Sequence, residues 1–133
     1  MNLANSAVAA VLRSPLHRLL SRSTALIRFT GRRSGRQFVT PVQYVRDGEQ
    51  IVILVGRPAT KSWWRNFLDE RDIDMLLERH WVHMSGHAIV GADDRDAIEP
   101  VLDAYLMRFP RAARTFSEGS PAAQAVVVRC RPR

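Results

Sequence analysis

The sequence predicts a mainly β protein of the α+β class, in which six antiparallel strands close into a small barrel and helices cover its ends. Short runs of alternating or continuous apolar residues recur along the chain and are separated by turn-forming residues. A short and a longer helical pattern lie between the later strands. Because the chain has 133 residues, 46% of them hydrophobic and 25% charged, it can bury one ordinary core. We therefore expect a single domain spanning residues 1–133.

An N-terminal helical segment is predicted for residues 1–22, in two short amphipathic pieces. Proline is accepted in the first turn of a helix, so Ser14 can cap a second piece that begins at Pro15. Arginines near the apolar stripe would allow this segment to rest on a membrane surface or to cover a pocket. We favour the simpler interpretation, a helix packed on its own domain.

The first strand is predicted for residues 25–30, with Ala25, Ile27 and Phe29 on one face. The second strand is predicted for residues 38–46. Both runs have the alternation and β-branched or aromatic content that strands favour. They should therefore pair as a hairpin.

Pro41 lies inside the second predicted strand. Proline cannot donate to a strand ladder, so it indicates a sheet edge, a bulge or a place where a ligand meets the backbone. Asp47 and Gly48 form a strong hairpin turn into a third strand over residues 50–55. The residues around Pro41 are thus a candidate ligand-facing rim.

Residues 30–36, between the first two strands, contain three arginines, two glycines and two hydroxyl side chains. Glycine lets the backbone turn sharply, so that amide groups can point at phosphate oxygens while guanidinium groups hold them from outside. A solvated basic turn is the alternative that these residues alone leave open.

A short helix is predicted for residues 61–68, with Thr60 as its cap and Lys61 at its start. Amide donors and a lysine at one helix N-terminus make a second potential anion site. Trp63 and Trp64 can serve as core, as pocket wall or as both.

Two alternating segments, residues 73–78 and 81–90, are predicted as the fourth and fifth strands. Their inward residues are expected to be Ile73, Met75, Leu77, Val82, Met84, Ala88 and Val90.

The longer helix is predicted for residues 94–109, capped by Asp93 or Asp94 and interrupted by Pro100 after a short first turn. A last strand covers residues 125–129.

Three histidines, His80, His83 and His87, have spacings that would suit a metal site on a helix. On a strand, however, His80 and His83 face opposite sides, and Gly86 weakens a helical interpretation. No acidic or thiol ligand joins them, so we expect no metal.

The net charge is +7 and the isoelectric point is near 11.1, which favours an anionic partner: a phosphorylated cofactor, nucleic acid or an acidic membrane. The arginines are spread over many elements, so nucleic acid is the weakest of these. Cys130 is the single cysteine, and any redox chemistry must therefore be carried by a cofactor. No apolar run reaches the roughly 18 residues of a membrane-spanning helix, and no secretory signal is apparent. We expect a cytoplasmic protein, with membrane-peripheral contact through residues 1–22 as an alternative.

Several motifs occur in a specific order from about residue 12 to residue 109. They are residues 14–18, 30–36 and 40–42, then Tyr44, Asp47 with Gly48, Lys61, and residues 63–67. In this order and spacing the chain resembles the deazaflavin-dependent nitroreductase family, which is related to the split β-barrels that bind flavin mononucleotide. The resemblance implies a split-barrel fold, often paired into dimers.

The resemblance also implies a cofactor, coenzyme F420, a deazaflavin that carries a phosphate and an acidic oligoglutamate tail; flavin mononucleotide is the alternative. The implied cofactor-binding residues are Arg32, Arg33, Ser34, Gly35 and Arg36 for the phosphate and tail, and Thr40, Pro41, Val42, Val55, Gly56, Thr60, Lys61 and Asn66 for the ring groove. The candidate acceptor pocket is Tyr44, Trp63, Trp64 and Tyr105.

The implied function is transfer of a hydride from the reduced deazaflavin to a small organic acceptor of the quinone, nitro or enone type. Two further hypotheses remain open at this stage. One is a split barrel that binds F420, flavin mononucleotide or another apolar or anionic ligand without turnover. The other, which rests on charge alone, is a nucleic-acid-binding protein.

Overall fold

One antiparallel sheet forms the body of the computed structural model, which describes residues 24–116 and 119–133. Its seven strands are β1 (Thr24–Thr30), β2 (Gln37–Gln43), β3 (Val45–Asp47), β4 (Gln50–Leu54), β5 (Arg71–Leu77), β6 (His80–Val90) and β7 (Val126–Pro132). The helices in these ranges are α1 (Arg95–Arg108), the short α2 (Pro121–Gln124), and three 3₁₀ helices at Pro58–Thr60, Trp63–Phe67 and Pro110–Thr115. The mainly β class with few helices is confirmed, whereas the helical segment predicted for residues 1–22 lies outside the described residues.

The strand order in the sheet is β2-β1-β5-β6-β7-β4-β3. The two edge strands, β2 and β3, are consecutive in the chain and are separated by the single residue Tyr44. The sheet must therefore curl until its two edges approach each other, which gives a half-barrel. The strand that contains Pro41 lies at an edge of the sheet, which is one of the three interpretations that this proline left open.

The prediction of six strands is wrong because the single strand expected over residues 38–46 is two strands. β2 pairs with β1, where Pro41 lies opposite Leu26, and β3 pairs with β4, where Val45 lies opposite Val52. The chain changes neighbours at Tyr44, whose side chain is only 2% exposed. The alternation of apolar residues continues through this change of neighbouring strand. It indicates which face of a strand is buried but not which strand lies beside it, so the change cannot be predicted from it.

The inner face of the curled sheet holds the first core. Ala25, Ile27 and Phe29 of β1 belong to it, as predicted, together with Ile73, Met75 and Leu77 of β5. Val82 was expected to join them, but this prediction is wrong, since its side chain is 36% exposed. Among the described strands, β7 ends at Pro132 opposite Met84, so Val82 has a neighbouring strand on one side only.

The second core lies between the opposite face of the sheet and α1. Ile98, Val101, Leu102 and Tyr105 are buried here. Of the two predicted cap candidates, Asp94 caps the helix, and its carboxylate accepts a hydrogen bond from the Ala97 amide at 3.2 Å.

The predicted interruption of this helix at Pro100 is wrong, because α1 is continuous from Arg95 to Arg108. Proline removes one intrahelical hydrogen bond, to the carbonyl four residues earlier. That carbonyl belongs to Asp96 in the exposed first turn, where water can take the place of the missing donor. No helix in the described part of the chain is both long and apolar enough to cross a membrane.

Candidate functional site

The basic turn between β1 and β2 has a well-defined backbone. The Gly31 amide donates to the Arg36 carbonyl at 2.8 Å, and the Gly35 amide donates to the Gly31 carbonyl at 3.0 Å. Gly35 has a φ of 69°, the left-handed conformation that glycine adopts without strain. The Arg36 amide donates to Ser34 Oγ at 3.2 Å. These bonds fix the turn while its arginine side chains remain exposed to solvent.

Gly31 permits a close approach that no other residue allows. A Cβ atom at this position would lie 2.6 Å from Phe38 Cε2 and 2.9 Å from Ser34 Oγ. The Phe38 ring stacks on Phe29 with 5.7 Å between the ring centroids. The turn is therefore packed directly against an aromatic surface.

Asn66 ties the basic turn to the 3₁₀ helix Trp63–Phe67. Its Oδ1 atom accepts a hydrogen bond from the Arg32 amide at 2.8 Å, and its Nδ2 atom donates to the Trp63 carbonyl at 2.8 Å. A primary amide has two donor hydrogens and two acceptor lone pairs, so one of each is still available for a ligand. The two segments are thus held at a fixed spacing.

A cavity of about 340 Å³ lies between this turn and the 3₁₀ helix. We call it the basic pocket, because three arginine side chains line it and no acidic residue does, among those the structure describes. Two of its three aromatic members, Phe29 and Trp63, lie 6.3 Å apart between ring centroids. The lining residues are Phe29, Gly31, Arg32, Arg33, Ser34, Phe38, Ser62, Trp63, Arg65 and Asn66.

A larger cavity of about 780 Å³ lies along β2, and we call it the edge groove. Among the described strands β2 is at an edge of the sheet, so alternate backbone groups point away from β1. Trp63 lines both cavities, so they adjoin at this side chain. The edge groove is lined by Thr40, Pro41, Val42, Gln43, Ile53, Leu54, Val55, Gly56, Lys61, Trp63, Tyr105, Phe109, Arg111 and Ala112.

Tyr105 gives the edge groove a phenol that stays neutral over a wide pH range. The residue is 3% exposed, and burial raises the pKa of its hydroxyl to about 12. Its ring packs against Phe109 with 5.2 Å between the centroids. At neutral pH such a phenol can donate a hydrogen bond but does not give up its proton.

The structure divides the residues predicted to bind the cofactor between the two cavities. Arg32, Arg33, Ser34 and Asn66 line the basic pocket. Thr40, Pro41, Val42, Val55, Gly56 and Lys61 line the edge groove. Gly35, Arg36 and Thr60 line neither cavity.

The four aromatic residues proposed for the acceptor pocket are also separated. Trp63 and Tyr105 line the edge groove. Tyr44 and Trp64 belong to the first core and line neither cavity. The Trp64 indole donates to the Pro58 carbonyl at 2.9 Å, and burial raises the pKa of the Tyr44 phenol.

The prediction that Thr60 caps the helix starting at Lys61 is wrong. Thr60 ends its own 3₁₀ turn, where its hydroxyl donates to the Arg57 carbonyl at 2.8 Å. The next helix is a 3₁₀ helix that begins at Trp63, after Ser62. Lys61 lies between the two helices, so it contributes a cation to the groove without a helix N-terminus behind it.

Sequence reasoning missed several lining residues. Phe29 was assigned to the core alone, and Phe38 to a strand without a role in a site. Arg65 is adjacent in sequence to Trp64 and Asn66, which were proposed as site residues. Its position on the helix face could have indicated that it also lines the site. Arg111 follows the predicted long helix and was given no role, and only the packing of the 3₁₀ helix Pro110–Thr115 brings it to the edge groove.

The three histidines do not converge in the described part of the chain, where no cluster of metal-binding side chains is found. His83 is engaged elsewhere, since its Nδ1 atom lies 2.8 Å from Asp74 Oδ1. Asp74 also accepts two hydrogen bonds from Arg28, at 3.0 and 3.2 Å.

The curled antiparallel sheet defines a protein of the split-barrel class. Residues 9–114 match the family model described as F420H(2)-dependent quinone reductase, and the chain belongs to this family. The membership confirms the family resemblance seen in the motifs and the expected cofactor, coenzyme F420. The protein is accordingly an F420-dependent oxidoreductase by family.

Solved structures support the fold. An F420-H2 dependent reductase is 16% identical with a TM-score of 0.63, covering 82% of this chain and 95% of that chain. An F420 reductase is 18% identical with a TM-score of 0.51, covering 90% and 94%. The heme storage protein HutZ from Vibrio cholerae is 16% identical with a TM-score of 0.56, covering 91% and 90%. None of the curated proteins matches the sequence.

Proposed function

We propose that the protein transfers a hydride from reduced coenzyme F420 to a small organic acceptor of the quinone, nitro or enone type, bound in the edge groove. The observation that carries this proposal is the position of Trp63, which lines both the basic pocket and the edge groove. A ligand with an anionic end and a flat ring needs two adjoining surfaces of this kind, one cationic and one largely apolar.

The basic pocket fits the anionic part of the cofactor. Arg32 and Arg33 come from the turn and Arg65 from the 3₁₀ helix, so guanidinium groups line it from two elements. Guanidinium groups hold phosphate and carboxylate through charge-assisted hydrogen bonds. Gly31 allows the turn to pack closely on Phe38, which also lines the pocket.

The edge groove fits the ring of the cofactor together with an acceptor. Its apolar wall includes Pro41, Val42 and Val55 from β2 and the end of β4. When bound and reduced, the deazaflavin supplies the hydride from a ring carbon. The chain's own contribution is to hold two flat molecules in one orientation and to exclude water from between them.

A reduced acceptor gains negative charge on oxygen, and a nearby donor would stabilise that charge. Tyr105 lies on α1 and lines the edge groove, and burial raises the pKa of its hydroxyl to about 12, so that the phenol is protonated at neutral pH. We assign it the role of hydrogen-bond donor to the acceptor. Preorganised donors of this type lower the barrier without giving up a proton.

Titration of the whole protein with oxidised F420, followed by the fluorescence of the cofactor, tests the first step. We expect a Kd in the range of tens of micromolar or below. Replacing Arg32 by Gln should weaken binding about tenfold, which corresponds to about 1.4 kcal/mol for one lost charge-assisted hydrogen bond. Arg79→Gln is the matched control, since Arg79 is exposed in the β5–β6 turn and lines neither cavity. Absence of binding at these concentrations, or equal weakening in both variants, would overturn the proposal.

A second candidate function is binding without turnover, which the same cavities would support. Mixing reduced F420 with the protein and menadione distinguishes the two candidates. Re-oxidation of the cofactor faster than in a protein-free mixture supports the reductase. Tight binding with no acceleration, repeated with a nitroaromatic acceptor, supports the binder. Flavin mononucleotide, titrated in parallel, tests the alternative cofactor.

Three further expectations remain proposals. A solved neighbour described as a domain-swapped dimer, with a TM-score of 0.56 and 13% identity, supports a homodimer, which sedimentation velocity of the whole chain would test. Peripheral membrane contact through residues 1–22 is tested by co-sedimentation with anionic vesicles. Nucleic-acid binding remains the weakest hypothesis, and failure to retard DNA at physiological salt would remove it.

A further inference from the structure

We infer that Arg111 makes the enzyme selective for acceptors that carry a carboxylate or another anionic group beside the ring to be reduced. The inference rests on the proposed function, because it concerns what the edge groove receives besides the cofactor. It begins from the charges of the groove. Lys61 and Arg111 line it, and none of the described residues that line it is an aspartate or a glutamate.

The position of Arg111 is set by the structure around it. The Phe109 amide donates to the Tyr105 carbonyl at 2.9 Å, and the Ala112 amide donates to the Phe109 carbonyl at 3.0 Å. Arg111 therefore belongs to a hydrogen-bonded turn that continues directly from α1. Its side chain is exposed, and it lines the edge groove next to Phe109 and Ala112.

The neighbouring Arg108 is directed elsewhere. Its guanidinium lies 4.9 Å from the centre of the Phe109 ring, a cation–π contact, and Arg108 does not line the groove. Among the described residues, Arg111 has no acidic partner within ion-pair distance. A cation at the groove without a counter-charge is a recognition element for an anion.

The cofactor does not account for this cation. The three arginines that line the basic pocket, on the other side of Trp63, suit its phosphate and carboxylates. Arg111 instead lines the same groove as Tyr105, the residue assigned to the acceptor. An acceptor with its reducible oxygen at the Tyr105 hydroxyl would direct an attached carboxylate towards the guanidinium, which can hold it with two parallel hydrogen bonds.

A matched pair of acceptors tests the inference: a 1,4-naphthoquinone with a propionate side chain and its methyl ester, which differ in charge but have the same ring. With F420-loaded wild-type protein we expect kcat/KM for the acid to exceed that for the ester about tenfold. Arg111→Gln should bring the ratio close to one, mainly by raising KM for the acid. Arg114→Gln is the control, because Arg114 is exposed on the same 3₁₀ helix and does not line the groove.

Binding provides a readout that does not depend on turnover. Quenching of tryptophan fluorescence by each naphthoquinone, measured with oxidised F420 present, should give a lower Kd for the acid in wild type and in Arg114→Gln but not in Arg111→Gln. The preference should shrink as salt is added. Equal affinity for acid and ester in wild type, or a preference that survives in Arg111→Gln, overturns the inference. Preferential binding of the acid without any turnover supports it while contradicting the proposed reaction.

Discussion

The Arg32 amide donates a hydrogen bond to Asn66 Oδ1 at 2.8 Å, across 34 residues of sequence. The Asn66 side chain also donates a hydrogen bond to the Trp63 carbonyl. One residue therefore sets the spacing between the basic turn and Trp63, the tryptophan that lines both cavities. The basic turn after β1 is thereby held in a fixed position relative to the 3₁₀ helix Trp63–Phe67, which follows β4. This long-range contact connects the two sides of the basic pocket.

Asn66→Ala should widen the basic pocket and weaken cofactor binding. The substitution removes two hydrogen bonds, each worth about 0.5–1.5 kcal/mol net. We expect F420 to bind about three- to tenfold more weakly, with a loss of about 1–2 kcal/mol in the free energy of unfolding. Fluorescence titration and urea unfolding measure the two effects.

Thr60→Ala serves as the control for this prediction. It also removes a local hydrogen bond, from the Thr60 hydroxyl to the Arg57 carbonyl, but Thr60 lines neither cavity. Its stability should fall slightly while its affinity for F420 stays that of wild type. If Asn66→Ala binds the cofactor as well as Thr60→Ala does, the tether has no role in the site.

Gly31→Ala should disrupt the packing beneath the turn. The new methyl group would meet the Phe38 ring at 2.6 Å, closer than atoms in contact can lie, so the ring must move off Phe29. Overpacking of this kind costs about 1–3 kcal/mol. We expect a lower urea midpoint and weaker cofactor binding.

Gly56→Ala is the matched change elsewhere in the site. A Cβ on Gly56 would meet only Lys61 Nζ, at an ordinary 3.6 Å. Its stability should stay within about 0.5 kcal/mol of wild type. The double variant Gly31→Ala with Phe38→Leu should recover part of the lost stability, because the smaller side chain makes room for the methyl group. No recovery in the double variant would mean that the clash with Phe38 is not the cause.

Asp74 links stability to pH on the outer face of the sheet. Burial alone would raise the pKa of its carboxyl, but hydrogen bonds from His83 and Arg28, together with their charges, outweigh burial and hold the pKa below 3.8. The ionised form is therefore favoured by folding. Its stabilisation is complete above the unfolded pKa and is lost as the pH falls through the lower, folded value.

Asp74→Asn should accordingly destabilise the protein at pH 6 by about 1 kcal/mol, the upper range for a partly exposed ion pair. The difference from wild type should diminish when the pH is lowered below 3.8. Asp103→Asn, an exposed carboxylate on α1 outside the ion pairs described, should show no such difference. Thermal unfolding followed by circular dichroism from pH 6 to pH 3 tests this, and a pH-independent difference for Asp74→Asn would contradict it.

Local pattern was sufficient to predict most of the inward-facing strand residues, although not Val82, and it included the edge position of Pro41 and the capping of α1 by Asp94 among its alternatives. Each of these depends on residues close together in sequence. The division of residues 38–46 into β2 and β3 depends instead on which distant strand pairs with each half. For the same reason the basic turn was visible as a motif, while the closure of its pocket by Asn66, Phe38 and Arg65 was not.

The residues predicted to bind the cofactor show the same limit of prediction from sequence. Family resemblance placed Asn66 in the ring groove, yet its hydrogen bonds hold it beside the arginines of the basic pocket. Trp63 and Trp64 are adjacent in sequence, but the helix turns one towards the cavities and the other into the core. Such a choice depends on tertiary packing, which propensity and spacing do not contain.

Tyr105→Phe should lower kcat for quinone reduction about tenfold, since a hydrogen bond worth about 1.4 kcal/mol to the reduced acceptor is lost. The affinity for F420 should not change, because the phenol is assigned to the acceptor. Burial raises the pKa of Tyr105 to about 12, so wild-type kcat should not titrate through the phenol between pH 6 and pH 10. Stopped-flow reduction of menadione over this pH range measures both expectations.

The stability of Tyr105→Phe provides an independent check on the raised pKa. A phenol that ionises at about 12 when folded and near 10 when unfolded favours the folded state less as the pH rises between these values. Wild type should therefore lose stability from pH 10 to pH 12 by more than Tyr105→Phe does. Equal alkaline losses would show that the phenol is hydrated rather than buried. If kcat is unchanged in Tyr105→Phe, the phenol has no role in the reaction, even if it is buried. A donor that stabilises the reduced acceptor cannot be deleted without slowing the formation of that reduced acceptor.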